Sequence, residues 1–179
     1  MLSRRGFRPG ASENALNALE AAVGGRLPVE FARVYLECDG MEPGTYQAGW
    51  RLLPLGEVLS LWRFHQLDGP AVVFDERFDP VEWSPMWLPF AVSAEEGPAA
   101  AADLAPLDEG VLVDALVVLA PGTPAGGGLV PEWEPGPGLA VEPGDVLHFH
   151  WQTRQVDPRG SFKDWFSDWT ADILFEVQD

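Results

Sequence analysis

From Pro121 to Gly144 the chain carries six prolines and seven glycines. No helix or strand persists through such a stretch, because each proline removes a backbone donor and each glycine adds conformational freedom that folding must remove. Residues of about 121–144 are therefore read as a long surface loop or insertion. Regular structure has to come from what precedes and follows it. With 179 residues, 46% of them hydrophobic and eight of them Trp, the chain can form a sizeable core. The expectation is one domain over residues 12–175.

Upstream, Ser12 is placed to cap a helix carrying Leu16, Leu19 and Val23 on one face, which Gly24-Gly25 ends. Leu27-Pro28 then puts proline at the first position of a second helix. Phe31, Val34, Tyr35 and Cys38 follow at helical spacing before Asp39-Gly40. Trp50 to Leu53 reads as a short strand stopped by Pro54, and Gly56 to Leu67 as a helix with Val58, Leu61, Trp62 and His65 in reach of one face. Ala71 to Phe74 is expected to be a strand, and Trp83 to Ala91, with three aromatics and two prolines, an extended segment against the core. Ala99 to Leu104 is open between strand and helix, while Val111 to Leu119 reads as a buried strand. Beyond the loop, Val146 to Trp151 alternates as a strand does, and Asp157-Pro158-Arg159-Gly160 reads as a turn. Ser161 then caps a last helix with Asp164 three residues on and Phe162, Trp165, Phe166, Trp169 and Ile173 at helical spacing.

Charge narrows the function. The formal net charge is −17, and no Lys or Arg lies between Phe78 and Thr153, a stretch with twelve Asp and Glu. Binding phosphates depends on neutralising them with cations, so this composition argues against direct contact with nucleic acid or an anionic membrane and for a basic protein partner. Glu95, Glu96, Asp103, Asp108 and Glu109, clustered near loop segments, are the candidate partner-binding carboxylates.

Chemistry-bearing motifs are few. The serines lack a Gly-x-Ser-x-Gly setting, and the glycines of Gly126-Gly127-Gly128 lead to Leu129-Val130-Pro131, not to a phosphate loop. Cys38, the lone thiol, has no partner for a disulfide or redox pair and reads as a small core hydrophobe. His148 and His150, two apart on a strand, share a face and could grip one ion. Glu142-Pro143-Gly144-Asp145-Val146 before them resembles the first metal motif of a cupin, but the acidic ligand and later His of that family are missing. No metal ligand or catalytic residue is assigned. Arg4-Arg5 is followed by no apolar segment of an export signal, and no run approaches a membrane span, so a cytoplasmic location is expected.

Several landmarks in order resemble the SUKH superfamily, which contains Smi/Knr-type cell-wall assembly regulators and many bacterial toxin-immunity proteins. They are Leu27-Pro28, Tyr35 with Asp39-Gly40, Leu53 to Leu55 leading into a helix, Trp87 to Ala91, Asp103, Gly144-Asp145-Val146, and Ser161-Phe162 with Trp165-Phe166. Asp108 to Pro143 is longer than the usual connection in that family. The resemblance implies an α+β fold, a mainly antiparallel sheet flanked by helices that include one at each end of the chain, with no cofactor. It also implies a non-catalytic domain that binds a protein, such as an immunity protein facing a toxin domain, many such toxins being nucleases, or a regulatory scaffold.

Overall fold

The computed structural model describes residues 6–67, 72–75, 77–93, 115–119, 139, 142–150 and 152–176. Helix α1 spans Glu13–Val23. Ser12 accepts the Ala15 N–H at 3.2 Å, and Gly24 ends the helix in the left-handed region by donating to Glu20 O. Leu16, Leu19 and Val23 form its buried face. Helix α2, Val29–Glu37, begins one residue later than its proline suggested: Pro28 is the N-cap, and its carbonyl accepts the first helical N–H, from Ala32. Cys38 is the C-cap and is buried, as its spacing implied. Gly40 follows at φ +72° with its α-carbon against the Leu53–Pro54 backbone, so a β-carbon there has neither a comfortable dihedral nor space.

That close approach lets α2 organise the next helix. Asp39 Oδ1 accepts the Leu55 N–H at 2.8 Å, capping α3 (Leu55–Leu67) from a distant part of the chain. Tyr35 donates its hydroxyl to Leu53 O at 2.7 Å, between α3 and strand β1 (Trp50–Leu52). Both bonds are what Tyr35 and Asp39-Gly40 contribute to the fold.

The remaining elements are β2 (Val72–Phe74), β3 (Pro80–Glu82), β4 (Trp87–Ser93), β5 (Ala115–Leu119), β6 (Asp145–His150), β7 (Gln155–Ser161) and α4 (Phe162–Glu176). Among the described residues, seven strands form one sheet in the order β1-β4-β5-β6-β7-β2-β3. Every pairing is antiparallel except β2 with β7, which run parallel with Phe74 beside Gln155. Helix α3 packs on β4, α1 on α3, α4 on β7 and β6, and α2 on α4. The fold is thus α+β, with helices flanking a mainly antiparallel sheet and standing first and last in the chain.

Strand β4 is buried at every position and lies between β1 and β5, an unusual place for Pro89. A register shift between Pro89 and Ala91 explains it. The ladder is interrupted there, Phe90 O accepts the Leu53 N–H, and the Phe90 ring meets Phe31, Phe162 and Trp165 at 5.0 to 6.2 Å.

Two readings of the sequence need correction. Asp157 to Gly160 is not a turn but part of β7, paired with β6 through His148↔Asp157 and Leu147↔Pro158. Proline and glycine are tolerated because the ladder carries a bulge at that point: three steps on β7 match two on β6, and Gly160 takes φ +78°. The chain reverses earlier, between His150 and Gln155, with Arg154 at φ +56°. Trp83 to Met86, expected to be extended, is a turn in which Ser84 Oγ accepts the Met86 N–H. Strand β3 was not anticipated.

Of the expected strand 111–119, residues Ala115–Leu119 form β5. Residues 111–114, the ambiguous 99–104 and the Pro/Gly-rich stretch, except Leu139 and 142–144, lie outside the described residues. Helix α4 opens as expected: Ser161 Oγ accepts the Asp164 N–H at 3.2 Å and donates to Asp164 Oδ2 at 2.7 Å.

Candidate functional site

His148 and His150 do share a face of β6, with ring centroids 3.8 Å apart. Strand β7 supplies their partners. His148 is registered with Asp157, and Asp157 Oδ2 accepts from His150 Nε2 at 2.8 Å, a diagonal cross-strand contact. Arg159 Nη2 donates to His148 Nδ1 at 2.9 Å. A guanidinium only donates and a carboxylate only accepts, so the two contacts call for an acceptor at His148 Nδ1 and a donor at His150 Nε2. The Trp50 indole meets the His148 ring edge-on at 5.1 Å. Trp50, His148, His150 and Asp157 are half-buried and Arg159 is exposed.

This cluster bears on metal binding. One nitrogen of each ring is already engaged by a protein side chain, and among the described residues no group of three or more His, Cys, Asp and Glu is placed to hold an ion. The cluster brings flat rings and one side chain of each charge together on β1, β6 and β7.

The cluster marks one end of the sheet. Trp50 pairs with Ser93, Val92 with Ala115, Ala115 with Phe149, and His150 with Gln155. Ser93 and Ala115 are the attachment points of the connection that carries Glu95, Glu96, Asp103, Asp108 and Glu109. These five carboxylates lie outside the described residues. Of the acidic residues between Phe78 and Thr153 that are described, Asp79, Glu82 and Glu142 are exposed, while Asp145 is half-buried and accepts the Glu142 N–H.

Among the described residues, several other groups capable of chemistry serve the structure. Burial pushes the Cys38 thiol up to about 11, and its S–H points to Gly40 O at 3.6 Å, so it is not a nucleophile. Burial likewise raises the Tyr35 phenol well above its ordinary value. Arg51 is wholly buried and bonded through Nη2 to Glu57 at 2.7 Å, while its Nε and Nη1 have no hydrogen-bond partner among the described residues. His65, stacked on Trp83 at 4.6 Å, is pushed down to about 4 by burial and stays neutral. No described helix is long and apolar enough to cross a membrane.

The family model of the SMI1 / KNR4 family (SUKH-1) matches residues 10–119, more than half of the chain. The chain belongs to this family. The matched stretch runs from before α1 to the end of β5 and includes the Leu27-Pro28, Asp39-Gly40 and Trp87 to Ala91 landmarks. Strands β6 and β7, α4 and the pair His148 and His150 lie beyond it, as does all of the Pro/Gly-rich stretch. No curated protein matches the chain. Membership of the SMI1 / KNR4 family fits a non-catalytic immunity or regulatory domain that binds a protein partner.

Sequence reasoning found the two histidines through their alternation. It missed Asp157, Arg159 and Trp50. Asp157 and Arg159 fell in a segment read as a turn, and the reach of Trp50 to His148 depends on how the sheet is assembled.

Proposed function

We propose that the chain is an immunity protein that neutralises a cognate toxin by presenting carboxylates to a basic surface. The observation that carries this reading is the absence of any Lys or Arg between Phe78 and Thr153 in a member of the SMI1 / KNR4 family. The contact residues are Glu95, Glu96, Asp103, Asp108 and Glu109, which lie in the chain between Ser93 and Ala115, together with the Trp50–His148–His150 cluster. A nuclease toxin is basic where it holds its substrate, so a surface of this charge is steered to that site and competes for it. The domain, over residues 12–175, needs no cofactor for this and acts in the cytoplasm.

Binding of the purified products of the adjacent genes, measured at rising salt, tests the reading together with rescue of cells expressing the toxin. The expected result is tight association that slows as salt rises, with restored growth. Absence of both binding and rescue refutes it. Binding without rescue assigns the chain instead to the regulatory or scaffold class within the same family.

A further inference from the structure

We propose that the β2–β3 loop is a docking knob: Phe78, held out from the fold by Asp75, enters an apolar socket rimmed by Lys and Arg on the partner protein. The inference rests on the protein-binding reading and gives it a second anchor point.

Phe78 is 68% exposed and has φ +61°. An aromatic residue in the left-handed region is uncommon, because its β-carbon crowds the backbone there. The conformation is firmly imposed. Asp75, 3% exposed, accepts the N–H groups of Arg77 and Asp79 on Oδ1 at 2.8 and 2.9 Å. Its own N–H donates to Asp79 O at 3.0 Å, and its carbonyl accepts the Phe78 N–H at 2.9 Å. Four hydrogen bonds to one residue thus fix a loop whose largest apolar side chain faces water. Glycine would meet the same dihedral without strain, and the exposed phenyl ring contributes little to burial in the free protein. A strained, rigidly displayed aromatic is what a protein contact uses as an anchor, since its ordering cost is met before binding.

The surroundings specify the partner. Asp79 and Arg77 are exposed on either side of the knob, Arg77 is the last Lys or Arg before Arg154, and the chain as a whole carries a formal net charge of −17. An apolar socket with a cationic rim complements this, and a second copy of the chain would be repelled. The loop leaves β2 at Phe74, which lies beside Gln155, the residue paired with His150. Because β2 and β7 run parallel, the loop continues from there in the direction that β7 takes from Gln155.

The test uses the full chain and the purified products of the adjacent genes as probes, with wild type, Phe78→Gly and Asp79→Lys compared. Phe78→Gly is expected to weaken binding by about 30-fold or more while its melting temperature stays equal or rises, because glycine accepts that dihedral freely. Asp79→Lys is expected to slow association. Benzoylphenylalanine at position 78 should cross-link to a partner residue flanked by Lys or Arg. A partner that binds wild type and Phe78→Gly equally removes the knob and leaves the functional reading intact. A clear drop in melting temperature for Phe78→Gly, or a cross-link to a second copy of the chain, also overturns the inference. If wild type binds none of the probes, the functional reading fails and the knob with it.

Discussion

Acidification from pH 7 to pH 5 should weaken the fold through one imidazole. His65, on the buried side of α3, stacks on the Trp83 ring, is 6% exposed, and has its pKa lowered by burial to about 4 from an ordinary 6.5. Between those values the unfolded chain binds a proton that the folded chain refuses, so stability is full above pH 6.5 and falls as pH drops toward 4. For pKa values of about 4 and 6.5 the loss from this group is about 2 kcal/mol between pH 7 and pH 5, and about 3 kcal/mol once both states are protonated. Two kcal/mol is a sizeable part of a typical stability of roughly 5–15 kcal/mol. Urea unfolding followed by Trp fluorescence at pH 7, 6 and 5 measures it, with His65→Phe as the reference that keeps a ring on Trp83 but cannot titrate. The carboxylates contribute equally to both proteins, so the wild-type loss should exceed that of the variant by about 2 kcal/mol. Parallel pH dependence of the two proteins would refute the assignment of a neutral, desolvated His65.

Removing one side of the Arg51–Glu57 pair strands a fully buried guanidinium, and Glu57→Ala should cost about 3 kcal/mol in chemical denaturation. Arg51→Met, which removes the buried charge itself, should cost less. The Cys38 thiol should fail to react with Ellman's reagent at pH 8 until denaturant unfolds the chain. Gly40→Ala, at φ +72° against the Leu53–Pro54 backbone, should destabilise by more than about 2 kcal/mol, seen as a lowered urea midpoint. Ser161→Ala removes the cap of α4 and should cost about 1 kcal/mol in the same assay.

What could be read from the sequence followed the range over which each structural cause acts. Helices α1 and α4 were legible because Ser12 and Ser161 cap within three residues and the apolar period repeats locally. Strand β3 was not, because only Val81 of its three residues is buried and its pairing depends on the Asp75-centred loop. Pro158 and Gly160 carried the letters of a turn yet belong to a bulged strand, while the true reversal before Gln155 has Arg154, not glycine, at positive φ. Arg51 flanked by apolar residues gave no sign that Glu57, six residues on and in a different element, would draw it inward. The histidine pair emerged from simple alternation, but its meaning lay in β7. Net acidity was visible at once, whereas Phe78 became noticeable only through a dihedral angle that no letter code carries.

The strand order has a consequence for how the chain emerges from the ribosome. Strands β4 to β7 follow one another as a meander, but β1 must wait for β4, and β2 for β7, which is made more than 80 residues after it. The early strands are therefore recruited to opposite edges of a sheet whose centre is synthesised later. A nascent chain halted after β6 leaves Val73 and Val81, buried at 0 and 2% exposure in the finished protein, on a hairpin with no sheet to join. Folding of this protein is in that sense completed from its C-terminus, and nascent chains released early should be handled by the cell as unfolded.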